Sequence, residues 1–174
     1  IDLCDGRLYM VRGTEAHVGP SAEHEERLAR ALGAIPDEYG QSARWELWER
    51  IHGQGQSYLM NFTHHIGTTG SSSYESTAVY KEMVEAFVEA GRSGDEPPQV
   101  IVRGHRHRHF ECRVGGGKGH CIATVTPGWQ LKTPFTYRIP VAKAGQPQFG
   151  GILIRAGDEE LHTRLFVRRI ERPR

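Results

Sequence analysis

The chain has 174 residues and a net charge of +1, with 37% hydrophobic and 25% charged residues. That is enough to bury one core, and the charge balance gives no reason to invoke nucleic acid or an anionic membrane as a partner. Three cysteines without paired spacing (Cys4, Cys112 and Cys121) argue against a disulfide framework and fit a reducing, cytoplasmic compartment; no run reaches the ~20 apolar residues of a membrane helix, and no signal-peptide pattern opens the chain.

RLYMVRG (7–13) alternates weakly and ends at glycine, as a short strand does. A helix over 21–32 follows, with Ser21 as N-cap, Leu28, Ala31 and Leu32 on one face, and Gly33 and Pro36 as its stop. Two strands joined through His52-Gly53-Gln54-Gly55 make a predicted hairpin, the second running from Ser57 to Thr63 into His64-His65. A glycine–serine loop (67–73) leads to a second helix. There Val79, Met83, Ala86, Phe87 and Ala90 form one stripe ended by Gly91, with Tyr74 and Tyr80 expected in the core beside Phe87. After the turn SGDEPP, QVIVRG (99–104) reads as a short buried strand, and the remainder as strands near 108–114, 118–125, 149–156 and 161–169. The sequence begins almost inside a strand, at Ile1, so the chain is expected to be part of a longer one.

VIVRGHRHRHF (100–110) sets His105, His107 and His109 at alternate positions, which in an extended chain puts them on one face and the arginines on the other. The pattern fits a metal site, a basic phosphate contact or a hydrophilic loop. The strand–helix–strand order from 57 to 104 narrows the choice. Two strands joined by one helix should lie parallel, and as neighbours their carboxyl ends sit about 5 Å apart, where open α/β sheets gather ligands. His64 follows the first strand and His105 the second, while His17 follows the strand at 7–12 towards the same edge.

VRGTEAH (11–17), NFTHHIG (61–67) and VIVRGHRHRH (100–109) resemble, in order and spacing, the later motifs of the calcineurin-like metallophosphoesterases. In that family a strand leads to Gly-Asn-His-Asp/Glu, a later strand ends in His, and a still later one ends in Gly-His-x-His. The spacing is similar to that of phage and prophage-encoded members. The resemblance implies an α/β fold, a sandwich of two mixed β-sheets flanked by helices, with residues 1–174 as the C-terminal portion of a single domain. It also implies phosphate mono- or diester hydrolysis with two divalent metal ions (Mn, Zn, Fe or Ni), on a phosphate ester that extends to nucleotides or nucleic acid. By the motifs, His64 and His105 would ligate one metal and His107 the other, with His65 packing or touching substrate and His109 capping the loop. Neutral imidazole suits these metals, and two of them about 3.5–4 Å apart can clamp a phosphate and activate water.

Two departures matter. Gly13-Thr14-Glu15-Ala16-His17 puts Thr14 where the family has an Asn ligand, and leaves His17 as the general acid for the leaving group or as a substitute ligand. The family's Asp-x-His and Gly-Asp motifs, with the aspartate that bridges both metals, should precede residue 1, so this chain alone is expected to be an incomplete enzyme.

Plainer readings stand beside these. Cys112, His120 and Cys121 lack Cys-x-x-Cys spacing and read as strand-face residues, not a zinc site. Gly115 to Gly119 reads as a hairpin turn, and Arg103, Arg106 and Arg108 as solvated. His105-x-His107-x-x-x-Glu111 has the metal spacing of cupins, a single-metal rival that requires a β-barrel. A non-catalytic phosphoesterase-like fragment, completing a fold or a partner interface, is the third alternative.

Overall fold

The computed structural model describes residues 6–19, 21–53, 55–67, 72–116, 119–131, 134, 148–157 and 160–168. The chain opens with β1 (Met10–Val11), α1 (Glu15–Val18) and α2 (Glu23–Ala31), then β2 (Ala43–Arg44), which pairs parallel with β1. β3 (Glu46–His52) and β4 (Ser57–Thr63) form the expected antiparallel hairpin. α3 (Glu75–Ser93) leads to β5 (Val100–Arg103), and β6 (Phe110–Gly116) with β7 (Gly119–Val125) makes a second hairpin. These five strands form one mixed sheet in the order β3-β4-β5-β7-β6. β8 (Phe149–Ala156) and β9 (Leu161–Arg168) pair as a separate antiparallel ribbon. β4 and β5 are parallel, as a crossover through α3 requires, and β7 continues the parallel order beside β5.

The fold is α/β, with two layers of sheet and helix on the outside. Every residue of β5 is buried, because both of its faces are covered. On one face Ile101, Ala123 and Val125 pack against Ala78, Val79 and Met83 of α3. On the other, Val100, Val102 and Ile122 meet Leu161 of β9 and Ile154 and Ala156 of β8. Fully burying an isoleucine is worth ~1.5–3 kcal/mol, and Ile101 and Ile122, both 0% exposed, lie on adjacent central strands. Helix and ribbon are therefore fixed to opposite faces, and the strand ends keep their order. The described sheets are open, with no closed barrel, which removes the cupin reading. Among the described residues no helix is long and apolar enough to cross a membrane.

The helices differ in detail from their sequence patterns. α2 begins after Ala22, which adopts a left-handed φ of 53°, so Ser21 is not its cap. It buries Ala29 against Ala34 and Ala43, while Leu28 and Leu32 face solvent. The reason is that α2 meets β1 and β2 largely through polar contacts. Glu26 accepts the N–H groups of Ser42 and Ala43 at 2.9 and 2.8 Å, and Glu25 accepts that of Gly13 at 2.7 Å. Burial pushes the Glu26 carboxyl up, but the Ala43 and Ser42 N–H groups and the Arg30 guanidinium outweigh it and hold it below the usual range. α3 runs past Gly91 and stops at Gly94, whose φ of 75° suits a C-terminal cap. Tyr74, Tyr80 and Phe87 are exposed, since the sheet takes only the stripe through Ala78, Val79 and Met83.

Candidate functional site

The parallel register pairs Thr63 of β4 with Arg103 of β5. One step further, the Gly104 N–H donates to the His64 carbonyl at 3.1 Å, which sets His64 beside Gly104 and next to His105. The Arg106 N–H then turns back to the Gly104 carbonyl at 2.8 Å, closing a tight turn around His105, whose φ is 69°. His107 also has a positive φ, 54°. Non-glycine residues rarely adopt this region, and two so close together mark a strained loop at the strand end. Because the extended chain stops at Arg103, the alternation expected of His105, His107 and His109 does not persist, and the three do not share a strand face.

His64 Nε2 and His105 Nδ1 are 3.2 Å apart. The His65 ring lies 5.3 Å from His64, edge-on, and 5.8 Å from His105, stacked at 29°. Glycines make room for this cluster. A β carbon on Gly104 would stand 3.2 Å from His64 Nδ1, and one on Gly13 would stand 3.5 Å from His64 Cε1. Gly13 follows β1, so the turn into α1 reaches the same sheet edge. The same point on Gly13 lies 3.3 Å from Glu25 Oε1. Glu25 thus pins the turn beside His64, a role that the sequence reading missed. Its one signal was an acidic residue in the first turn of a helix, where carboxylates find backbone N–H groups.

His107 packs against Gly128, its Cγ and Cβ 3.0 and 3.1 Å from the β-carbon position of that glycine. Gln148 ties this segment together. Its N–H donates to the His107 carbonyl at 2.9 Å, its carbonyl accepts the Gly128 N–H at 2.9 Å, and its side-chain oxygen accepts the His109 N–H at 2.6 Å. His109 Nδ1 is 3.1 Å from the Val125 carbonyl, the loop-capping place expected of it. The backbone of His17 lies in α1; its side chain, like Asp2 and Asp5, lies outside the described residues.

The three arginines are held, not solvated. Arg103, 8% exposed, gives Nε to Glu82 at 2.8 Å and Nη1 to Asn61 Oδ1 at 2.7 Å. Arg106 donates to the Gly67 carbonyl at 2.5 Å, and Arg108 to Glu75, 3% exposed, at 2.5 Å. A buried charge needs an opposite partner, and α3 supplies Glu82 and Glu75 to brace the histidine loop. Cys112 and Cys121 are free thiols. Burial pushes Cys121 up to about 12 and raises Cys112 as well, as befits thiols on a covered strand face.

Two nitrogens on one tetrahedral ion, each at ~2.0–2.1 Å, stand about 3.3–3.4 Å apart. The His64–His105 separation of 3.2 Å fits one ion. Among the described residues no group of three or more His, Cys, Asp or Glu side chains is arranged to hold a metal. Comparison of the chain with protein-family models, with curated proteins and with solved structures gave no match, and the likeness to the calcineurin-like family rests on the motifs alone.

Proposed function

We propose that the chain supplies the histidine side of a calcineurin-like, metal-dependent phosphoesterase centre. In this reading His64 and His105 hold one divalent ion (Mn, Zn, Fe or Ni), His107 serves a second, and His17 protonates the leaving oxygen of a phosphate mono- or diester. The observation that carries it is the 3.2 Å between His64 Nε2 and His105 Nδ1 at the ends of adjacent parallel strands. Bound metal supplies positive charge for the phosphate and lowers the pKa of water. The chain's own part is to orient imidazoles, and Gly104, Gly13 and the braced arginines support that part. The missing anionic ligands come, in this reading, from outside the described residues or from another chain. A reducing, cytoplasmic setting is in keeping with Cys112 and Cys121 as free thiols.

Calorimetric titration with Mn(II) and Zn(II), with metal content measured after desalting, tests the reading. At least one ion should bind per chain and be lost in both His64→Ala and His105→Ala. No binding by the unaltered chain, or binding indifferent to both substitutions, overturns it.

A further inference from the structure

Beyond the carboxyl end of β7 the chain runs Thr126-Pro127-Gly128-Trp129, at the same sheet edge as His64 after β4 and His105 after β5. Gly128 is fixed there from two directions. His107 packs on it, its Cα 3.3 Å from the β-carbon position. Gly128 also bridges to Phe149, and its carbonyl accepts the Gly150 N–H at 3.2 Å. Trp129 is therefore set one residue from the backbone that carries His107. It is 74% exposed, with its ring edge-to-face on Phe149 at 4.7 Å. Both rings line an open groove of about 500 Å³, together with Leu165, Phe166 and Arg168 of β9.

Three features select an occupant. Trp129, 74% exposed, presents a large π surface, which stacks on flat rings and is indifferent to the pattern of their substituents. Among the described lining residues Arg168 adds a cation to apolar side chains, so a ligand that joins a flat ring to an anion is favoured over a purely apolar one. The volume falls within the usual span of small-molecule sites, roughly 300–1,000 Å³.

We propose that this groove is a subsite for the base of a nucleoside phosphate, stacked on Trp129, with the phosphate directed towards the histidine loop. The phosphate end rests on the phosphoesterase reading; the stacking end does not depend on it.

Adenosine, adenosine 5′-monophosphate and inorganic phosphate are the probes, titrated into the full chain while tryptophan fluorescence and the indole N–H resonance of Trp129 are followed. Trp129→Ala is expected to weaken adenosine and its monophosphate by roughly tenfold or more and to leave inorganic phosphate unaffected. Trp129→Phe, which keeps a ring, should recover most of the loss. Equal adenosine affinity in the unaltered chain and Trp129→Ala, or no adenosine binding by either, overturns the proposal. So does a change of oligomeric state in Trp129→Ala with adenosine binding intact, which would give the groove to a second copy of the chain. Trp129-dependent adenosine binding in a chain that binds no metal keeps the groove and removes the phosphoesterase reading, so the two failures are distinguishable.

Discussion

His64 Nε2 stands 3.2 Å from His105 Nδ1 although 41 residues separate them in the chain. Pairing of Thr63 with Arg103 brings the two strand ends level, and Gly104 keeps the approach open, since its β carbon would stand 3.2 Å from His64 Nδ1. Gly104 has no left-handed φ, so Gly104→Ala should fold normally while displacing the imidazole. Its metal affinity is expected to fall by the roughly 10–100-fold typical of disturbed ligand orientation, and His64→Ala should lose more. Calorimetry for affinity and circular dichroism for folding check both; unchanged affinity in Gly104→Ala would separate the glycine from the metal.

His17 is distinguished from a ligand by pairing metal content with rate in the completed, metal-loaded centre. As a general acid, His17→Ala should keep its metal and lose rate by roughly 10²–10⁴-fold. The deficit should shrink for 4-nitrophenolate, which departs without a proton. Loss of metal, with equal penalties for good and poor leaving groups, would make His17 a ligand in place of Thr14.

In the phosphoesterase reading the motifs bring neutral imidazoles, and no bridging carboxylate, to a two-metal centre. Two divalent ions 4 Å apart repel by about four times the unit-pair value, on the order of 16 kcal/mol at an effective dielectric of 20. Neutral imidazoles cannot offset that. The 174-residue chain is therefore expected to hydrolyse 4-nitrophenyl phosphate weakly or not at all in Mn(II) or Zn(II). Robust metal-dependent turnover would locate a completing carboxylate outside the described residues or on a second chain.

Beneath the loop, the Arg103–Glu82 pair at 2.8 Å joins β5 to α3. Removing one partner leaves a charge in a site that water hardly reaches, a loss of about 3–5 kcal/mol for a buried pair. Glu82→Ala should show a loss of that order in urea unfolding. Replacing both residues together, Arg103→Met with Glu82→Leu, should recover most of it, because no lone charge remains. A double variant as unstable as the single one would contradict this account.

Cys121 is 5% exposed, and burial, then the neighbouring Cys112, push its thiol up to about 12 from an ordinary value of 9.0. The unfolded chain ionises near the ordinary value, so above it the unfolded state releases its proton first. The contribution of this thiol to stability is full below pH 9.0 and is lost as pH rises towards about 12. Unfolding midpoints on either side of pH 9.0 should fall more steeply for the unaltered chain than for Cys121→Ala. Equal slopes would show that the thiol does not ionise differently in the two states.

The sequence by itself determined the α/β class and the meeting of His64 with His105. A strand, one helix and a second strand leave little choice but parallel neighbours, and residues just past two such strands must share an edge. Only the tertiary structure decided the rest. The direction of His107 depends on positive φ at His105 and His107 and on Gln148 and Gly128, which arrive from distant parts of the chain. Arg103 and Arg108 read as solvated because their partners, Glu82 and Glu75, lie 21 and 33 residues away on α3. α2 turned Ala29 inwards, not Leu28 and Leu32, since it meets two very short strands through carboxylate–backbone bonds. Local periodicity reports which face a segment is able to bury. What that face meets is set by long-range contacts, and those decide which charges are paired and where a loop points.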